Sequence, residues 1–188
     1  MAETRDWRGM MSMSARLLRE RTGEDVDAWN LRIKEKGFKD EQRLRAWLAE
    51  QGVTGYAQTF LVMERFGYPD FFLASADELI DAQYEDRPQL RPILDAIIDA
   101  AAGLGEVTIQ ARKTYVSLVT PRRTFARVRP TTKNRVDLGL RLEGQKPGGR
   151  FEPSKMQETM QLQIGLTSVE EVDSEVLDWF QQAYEQNC

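Results

Sequence analysis

No histidine occurs anywhere in the chain, and its one cysteine, Cys188, is the last residue. Imidazole is the commonest general base near neutral pH and the commonest metal ligand, so serine-histidine and cysteine-histidine catalysis are excluded. A lone thiol can form neither an intramolecular disulfide nor a cysteine cluster for zinc. No apolar run approaches the roughly 18 residues of a membrane-spanning helix, and the opening MAETRDWRGMMSMSARLL lacks the continuous apolar stretch of a secretory leader. These absences lead to the expectation of a cytoplasmic protein with no membrane partner and no cofactor. They also favour binding over catalysis, because no carboxylate, lysine or tyrosine constellation has a recognisable catalytic spacing.

What is present is enough apolar material for a packed core: 188 residues, 41% of them hydrophobic. The first half reads as short helices. Glu24 to Lys36 carries Val26, Trp29 and Ile33 on one stripe, with Thr22 and Asp25 as a capping signal and Gly37 as a stop. Asp40 to Gln51 carries Leu44, Trp47 and Leu48; Thr54 to Phe66 is expected to turn Tyr56, Phe60 and Met63 inward. A short helix near Ala76 to Asp81 is expected to close this unit, with a boundary at QYEDRP, Gln83 to Pro88. From Pro88 to Ala102 runs a longer apolar stripe of Leu90, Leu94, Ile97, Ile98 and Ala101, ended by Gly103 and Gly105.

Beyond these glycines the apolar period changes from about 3.6 to 2, the signature of strands. Alternation marks Val107 with Ile109, Val116 with Leu118, Ala126 with Val128, Val136 to Leu142, and Met160 to Leu166. Ser168 and Glu171 then suggest a capping box before a helix bearing Val176, Leu177, Phe180 and Tyr184. The expected fold class is α+β. A small N-terminal helical bundle over 10–82 precedes a two-layer sandwich over 87–187, whose mainly antiparallel sheet of about five strands carries two helices on one face.

Charge is segregated along this plan. Between Arg112 and Arg150 lie eleven basic residues against two acids, Asp137 and Glu143, so the segment carries +9 while the remainder carries −13 and the whole chain −4. Such segregation creates a local field that attracts anions. Alternation assigns Lys113, Arg127, Arg135 and Arg141 to one sheet face, with Tyr115 and Phe125 among them. Cations interleaved with aromatics on an open sheet suit single-stranded nucleic acid, whose phosphates are neutralised while its bases stack. Arg122 and Arg123 form a basic turn after Pro121, Lys133 adds a further candidate contact, and Asp137 is expected to be a charge partner between Arg135 and Arg141. Two alternatives stand beside a nucleic-acid or other polyanion partner. The acidic helical half, a second copy in a homodimer, or another protein could cover the face, or Tyr115, Lys113 and Asp137 could serve an enzyme acting on a small anion.

KTYVSL, Lys113 to Leu118, then FARVRPTTKNRVDLGLRL, Phe125 to Leu142, and LTSVEEVDSEVLDWFQQAYE, Leu166 to Glu185, resemble a bacterial family known as domain of unknown function 5655. RTGEDVDAW and LRAWLAEQGVTGYA resemble its frequent helical companion, domain of unknown function 4287; LRAWLAEQGVTGYAQTF is also similar to the opening of a sterile alpha motif. The first resemblance implies no set activity, but similar C-terminal domains accompany nuclease-like proteins of restriction and defence systems, which associates it with nucleic acid. Where relatives carry Thr-His-Arg-Val-Arg-Leu, this chain has Gln161, Leu162, Gln163, Ile164, Gly165 and Leu166. Thr54 and Tyr56 stand where the helical family carries histidines.

Overall fold

The computed structural model describes residues 3–5, 8–157 and 159–188, with side chains from residue 9 onward except those of 155 and 157. Residues 1–2 and 6–7, within the stretch read above for a leader, lie outside the described residues. The chain divides into a helical unit, residues 6–74, and a sheet unit of residues 1–5 and 75–188.

The helical unit contains α1 (Arg8–Thr22), α2 (Val26–Lys36), α3 (Glu41–Glu50), α4 (Gly55–Phe66) and the short α5 (Asp70–Leu73). Asp25 and Asp40 cap α2 and α3 by accepting from the backbone N–H groups of Ala28 and Arg43. Gly37, at φ 65°, ends α2 in the left-handed region that a side chain would strain. Leu18, Trp29, Ile33, Leu44, Leu48 and Leu61 meet in the core, and the Trp29 and Trp47 rings pack edge to face at 5.9 Å.

Two features of this unit depart from expectation. α1 has little apolar periodicity because Ser14 occupies a core-facing position between Met10 and Leu18, its hydroxyl donating to the Met10 carbonyl at 2.8 Å. α1 packs against α4, which therefore buries Ala57, Leu61 and Val62. Tyr56, expected inward, is 58% exposed, and Phe60 and Met63 are only half-buried.

In the sheet unit, β2 (Thr108–Ala111), β3 (Val116–Val119), β4 (Thr124–Thr132), β5 (Arg135–Leu140), β6 (Glu152–Gln157) and β7 (Met160–Leu166) are antiparallel. β1 (Glu3–Arg5) adds a parallel edge beside β2, in the order β1-β2-β3-β4-β5-β7-β6. The five alternating runs of the sequence are β2, β3, β4, β5 and β7. β6 was not legible because Pro153 and a register shift interrupt its pairing with β7. Pro130 lies buried within β4, where the pairing also shifts register.

Three helices complete the unit: α6 (Ala76–Tyr84), α7 (Arg91–Leu104) and α8 (Ser174–Glu185). α6 was expected to close the helical unit. It packs instead beside β2, burying Leu79, Ile80, Gln83 and Tyr84, so the division falls at 74/75 rather than within Gln83 to Pro88. α8 lies on β4 and α7 packs against α8. The Ser168 capping box is replaced by Asp173, which accepts from the Val176 N–H, while Glu171 accepts from the Thr167 N–H and hydroxyl. Val116, Leu118, Val128, Val136, Leu138 and Ile164 share the fully buried apolar face of the sheet. Among the described residues, no helix is long and apolar enough to cross a membrane.

Candidate functional site

The opposite, polar face follows from strand register. Arg127 lies across from Gly139 and Ser117, Arg129 across from Asp137, and Asp137 across from Gly165. Alternation therefore brings Arg127, Arg129, Arg135 and Asp137 together, as their spacing in the sequence requires.

Asp137 is 4% exposed. One carboxylate oxygen accepts from Arg135 Nε at 2.6 Å and the other from the Thr131 hydroxyl. The far end of the Arg135 guanidinium reaches Glu152 on β6, at 2.5 and 3.2 Å. It lies flat over Gly165, where any Cβ would overlap it. The hydrogen bonds from Arg135 hold the Glu152 carboxyl below its ordinary range against the opposing effect of desolvation. Asp137 pairs with Arg135 and not with Arg141, the other cation between which it was expected, and the charge of Arg135 is largely neutralised where it stands.

The aromatic pair does not assemble. Leu118 pairs with Ala126 and Val119 with Thr124, so Phe125 is the extra residue of a bulge. That irregularity turns its ring to the helical side, where it is fully buried against Phe180 at 5.3 Å and Tyr184 at 5.5 Å. Phe125 is therefore core rather than part of the polar face. Tyr115 does remain on that side, half-buried under the Arg127 guanidinium. Lys113 lies in the bend before β3 rather than on the strand.

The remaining candidates are distributed around the unit. Arg122 is exposed in the turn before β4; Arg123 reaches Glu143 and the Gln186 carbonyl, and Lys133 occupies the β4–β5 turn. Arg141 follows β5 and lines a separate open hollow with Gln161 and Thr159.

Two depressions give the polar face its relief. One, of about 230 Å³, is lined by Arg129, Thr131, Asp137, Pro153, Met156 and Gln163. The other, of about 260 Å³, is lined by Gln83, Arg87, Lys113, Thr114, Arg129 and Thr131, with Ala82 and Pro130. Arg129 and Thr131 belong to both. The Arg129 side chain is exposed and, among the described residues, its guanidinium has no hydrogen-bond or ion-pair partner, because Asp137 across the ladder is turned to Arg135. Its alternation with Arg127 is readable in the sequence, although Arg129 is not among the candidates named from it. The contributions of Gln83 and Arg87 are not readable there, since both belong to the stretch expected as the boundary. Asp137 and Lys113 line different depressions and Tyr115 lines neither, so the three groups considered for catalysis share neither one. Among the described residues, no group of three or more Asp, Glu, His or Cys side chains is placed to hold a metal.

The acidic counterpart also lies elsewhere than expected. Residues 6–74 carry eleven basic and eleven acidic side chains, so the helical unit is balanced rather than acidic. Residues 76–106 and 168–188, which contain α6, α7 and α8, carry fourteen acids against two bases. The sheet unit is therefore polarised through its own thickness, with a basic sheet and an acidic helical layer.

This architecture is an open-faced α+β sandwich preceded by a helical bundle. Residues 80–187 match the family described as a domain of unknown function (DUF5655), and the chain belongs to that family. The match begins within α6, in keeping with the packing of that helix in the sheet unit. No curated protein and no solved structure matches the chain.

Proposed function

We propose that the protein is a binding module rather than an enzyme, and that the polar face of its sheet engages a polyanion, nucleic acid being the partner its chemistry fits best. The observation that carries this reading is Arg129, an exposed guanidinium at the rim of two depressions with no acidic partner among the described residues. Arg87 and Lys113 stand beside it, and Arg127 and Arg141 extend the basic face. With Phe125 in the core and Tyr115 beneath a guanidinium, base stacking has little to work with. Affinity then comes chiefly from phosphate contacts, with weak sequence preference and strong salt dependence. The burial of Phe125 lends no weight to a covering partner, because α8 of the same unit supplies it.

The test is fluorescence anisotropy with labelled single- and double-stranded DNA and RNA at two salt concentrations. Binding should weaken as salt rises, and Arg129→Ala should lower affinity similarly for all sequences while flattening the salt slope by about 1. Absence of binding at low salt, where attraction between charges is strongest, would refute the reading and direct the search to protein partners.

A further inference from the structure

The larger of the two depressions described around Arg129 is a concavity with a fixed frame. The Gln83 side-chain amide donates to the Arg112 carbonyl at 2.7 Å and to the Tyr115 carbonyl at 3.4 Å. The Arg112 N–H also closes onto the Tyr115 carbonyl at 2.9 Å. The bend that carries Lys113 and Thr114 is therefore tied to its own base and to α6. On the far side, Arg87 donates to the carbonyls of Pro130 and Thr132 at 3.1 and 3.2 Å, fixing the end of β4 that carries Arg129. Asp86 pairs with the opposite edge of Arg87 and does not line the depression, and the Asp137 carboxylate that holds the Thr131 hydroxyl lines the neighbouring one.

Arg87, Lys113 and Arg129 thus line one hollow with Thr114 and Thr131 and without a carboxylate in its lining. Its volume of about 260 Å³ is many times the roughly 30 Å³ share of a water molecule and lies near the lower end of the small-ligand range. A continuous backbone passes over such a hollow, whereas a terminal group can enter it. A phosphomonoester suits the lining better than an internal diester, because it carries a charge of about −1.5 to −2 and three strong acceptor oxygens.

We propose that this hollow is a phosphomonoester site. The proposal deepens the polyanion reading and rests on it: on a nucleic acid the group is a terminal phosphate, and the same chemistry is offered by a free nucleotide. Lys113 and Arg129 supply charge from the open rim, the Thr114 hydroxyl supplies a directed donor, and the ties of Gln83 and Arg87 keep these groups in place before the ligand arrives.

The experiment compares matched oligonucleotides bearing a 5′-phosphate or a 5′-hydroxyl, for the whole protein and for Lys113→Ala, with Lys146→Ala as a charge-matched control outside the hollow. It also measures competition by a nucleoside monophosphate and the matching nucleoside. The expected result is a preference of about tenfold or more for the phosphorylated end, lost in Lys113→Ala and retained in Lys146→Ala. Competition by the monophosphate, but not the nucleoside, would identify a site that also accepts the free ligand; failure to compete alongside a retained end preference would restrict it to chain termini. Equal binding of both ends without competition would overturn the phosphomonoester site while leaving the polyanion surface intact. Failure of every oligonucleotide to bind at low salt would overturn both.

Discussion

The Arg127 guanidinium carbon lies 4.1 Å from the centroid of the Tyr115 ring, so a cation covers the aromatic face that a nucleobase would otherwise use. The contact joins β4 to the segment leading into β3 and gives Tyr115 a partner within the fold. A double-mutant cycle of Arg127→Ala with Tyr115→Leu is expected to return a coupling of about 0.5–2 kcal/mol by urea denaturation. No coupling would mean that the two side chains only happen to be close.

Phe125 should behave as a core residue. Phe125→Ala removes a fully buried ring packed on Phe180 and Tyr184 and is expected to cost about 3–5 kcal/mol, read from the denaturation midpoint at unchanged slope. Tyr115→Ala, at a half-buried position, should cost clearly less.

The Asp137–Arg135 pair should matter more than an ordinary surface ion pair. Asp137→Ala leaves half-buried Arg135 Nε without its acceptor and removes one of the two acceptors of the Thr131 hydroxyl, for an expected loss of about 1–3 kcal/mol. Gly165→Ala tests the same arrangement from below, since its methyl group would displace the guanidinium. It should destabilise by about 1–3 kcal/mol, with little additivity when combined with Arg135→Ala.

Acid should loosen the sheet unit. Hydrogen bonds hold the carboxyls of Glu152, through Arg135, and Glu171, through the Thr167 N–H, below their ordinary value of 4.5. Groups whose folded pKa is depressed stabilise fully above the unfolded value, and that contribution is lost as pH falls through the folded one. The denaturation midpoint should therefore decline as pH falls below about 4.5, and Glu152→Gln should reduce the decline. An unchanged acid profile in that variant would show that the Arg135 contact contributes nothing to folding.

Alternation made β2, β3, β4, β5 and β7 legible because each alternates one buried and one polar face, and the same pattern located Arg127, Arg135 and Asp137 but did not single out Arg129. Phe125 was misplaced by that same rule. A bulge changes facing without changing composition, and the sequence around 125 carries no mark of it. α1 was hidden by Ser14 in a core position, and β6 by Pro153 and its irregular pairing. Gln83 and Arg87 could not be assigned to the hollow from sequence, because they come from outside the sheet and act through backbone carbonyls far along the chain.

For the proposed polyanion partner, the polarisation of the sheet unit, basic strands against acidic helices, would also bear on how that unit approaches. A negative surface would exert a torque on such a unit before contact, drawing the sheet inward and turning the helices away, so a larger share of collisions would begin with the basic side presented. Added salt would weaken this orienting torque along with the attraction, and the association rate, not only the equilibrium, would fall as the ionic atmosphere thickens.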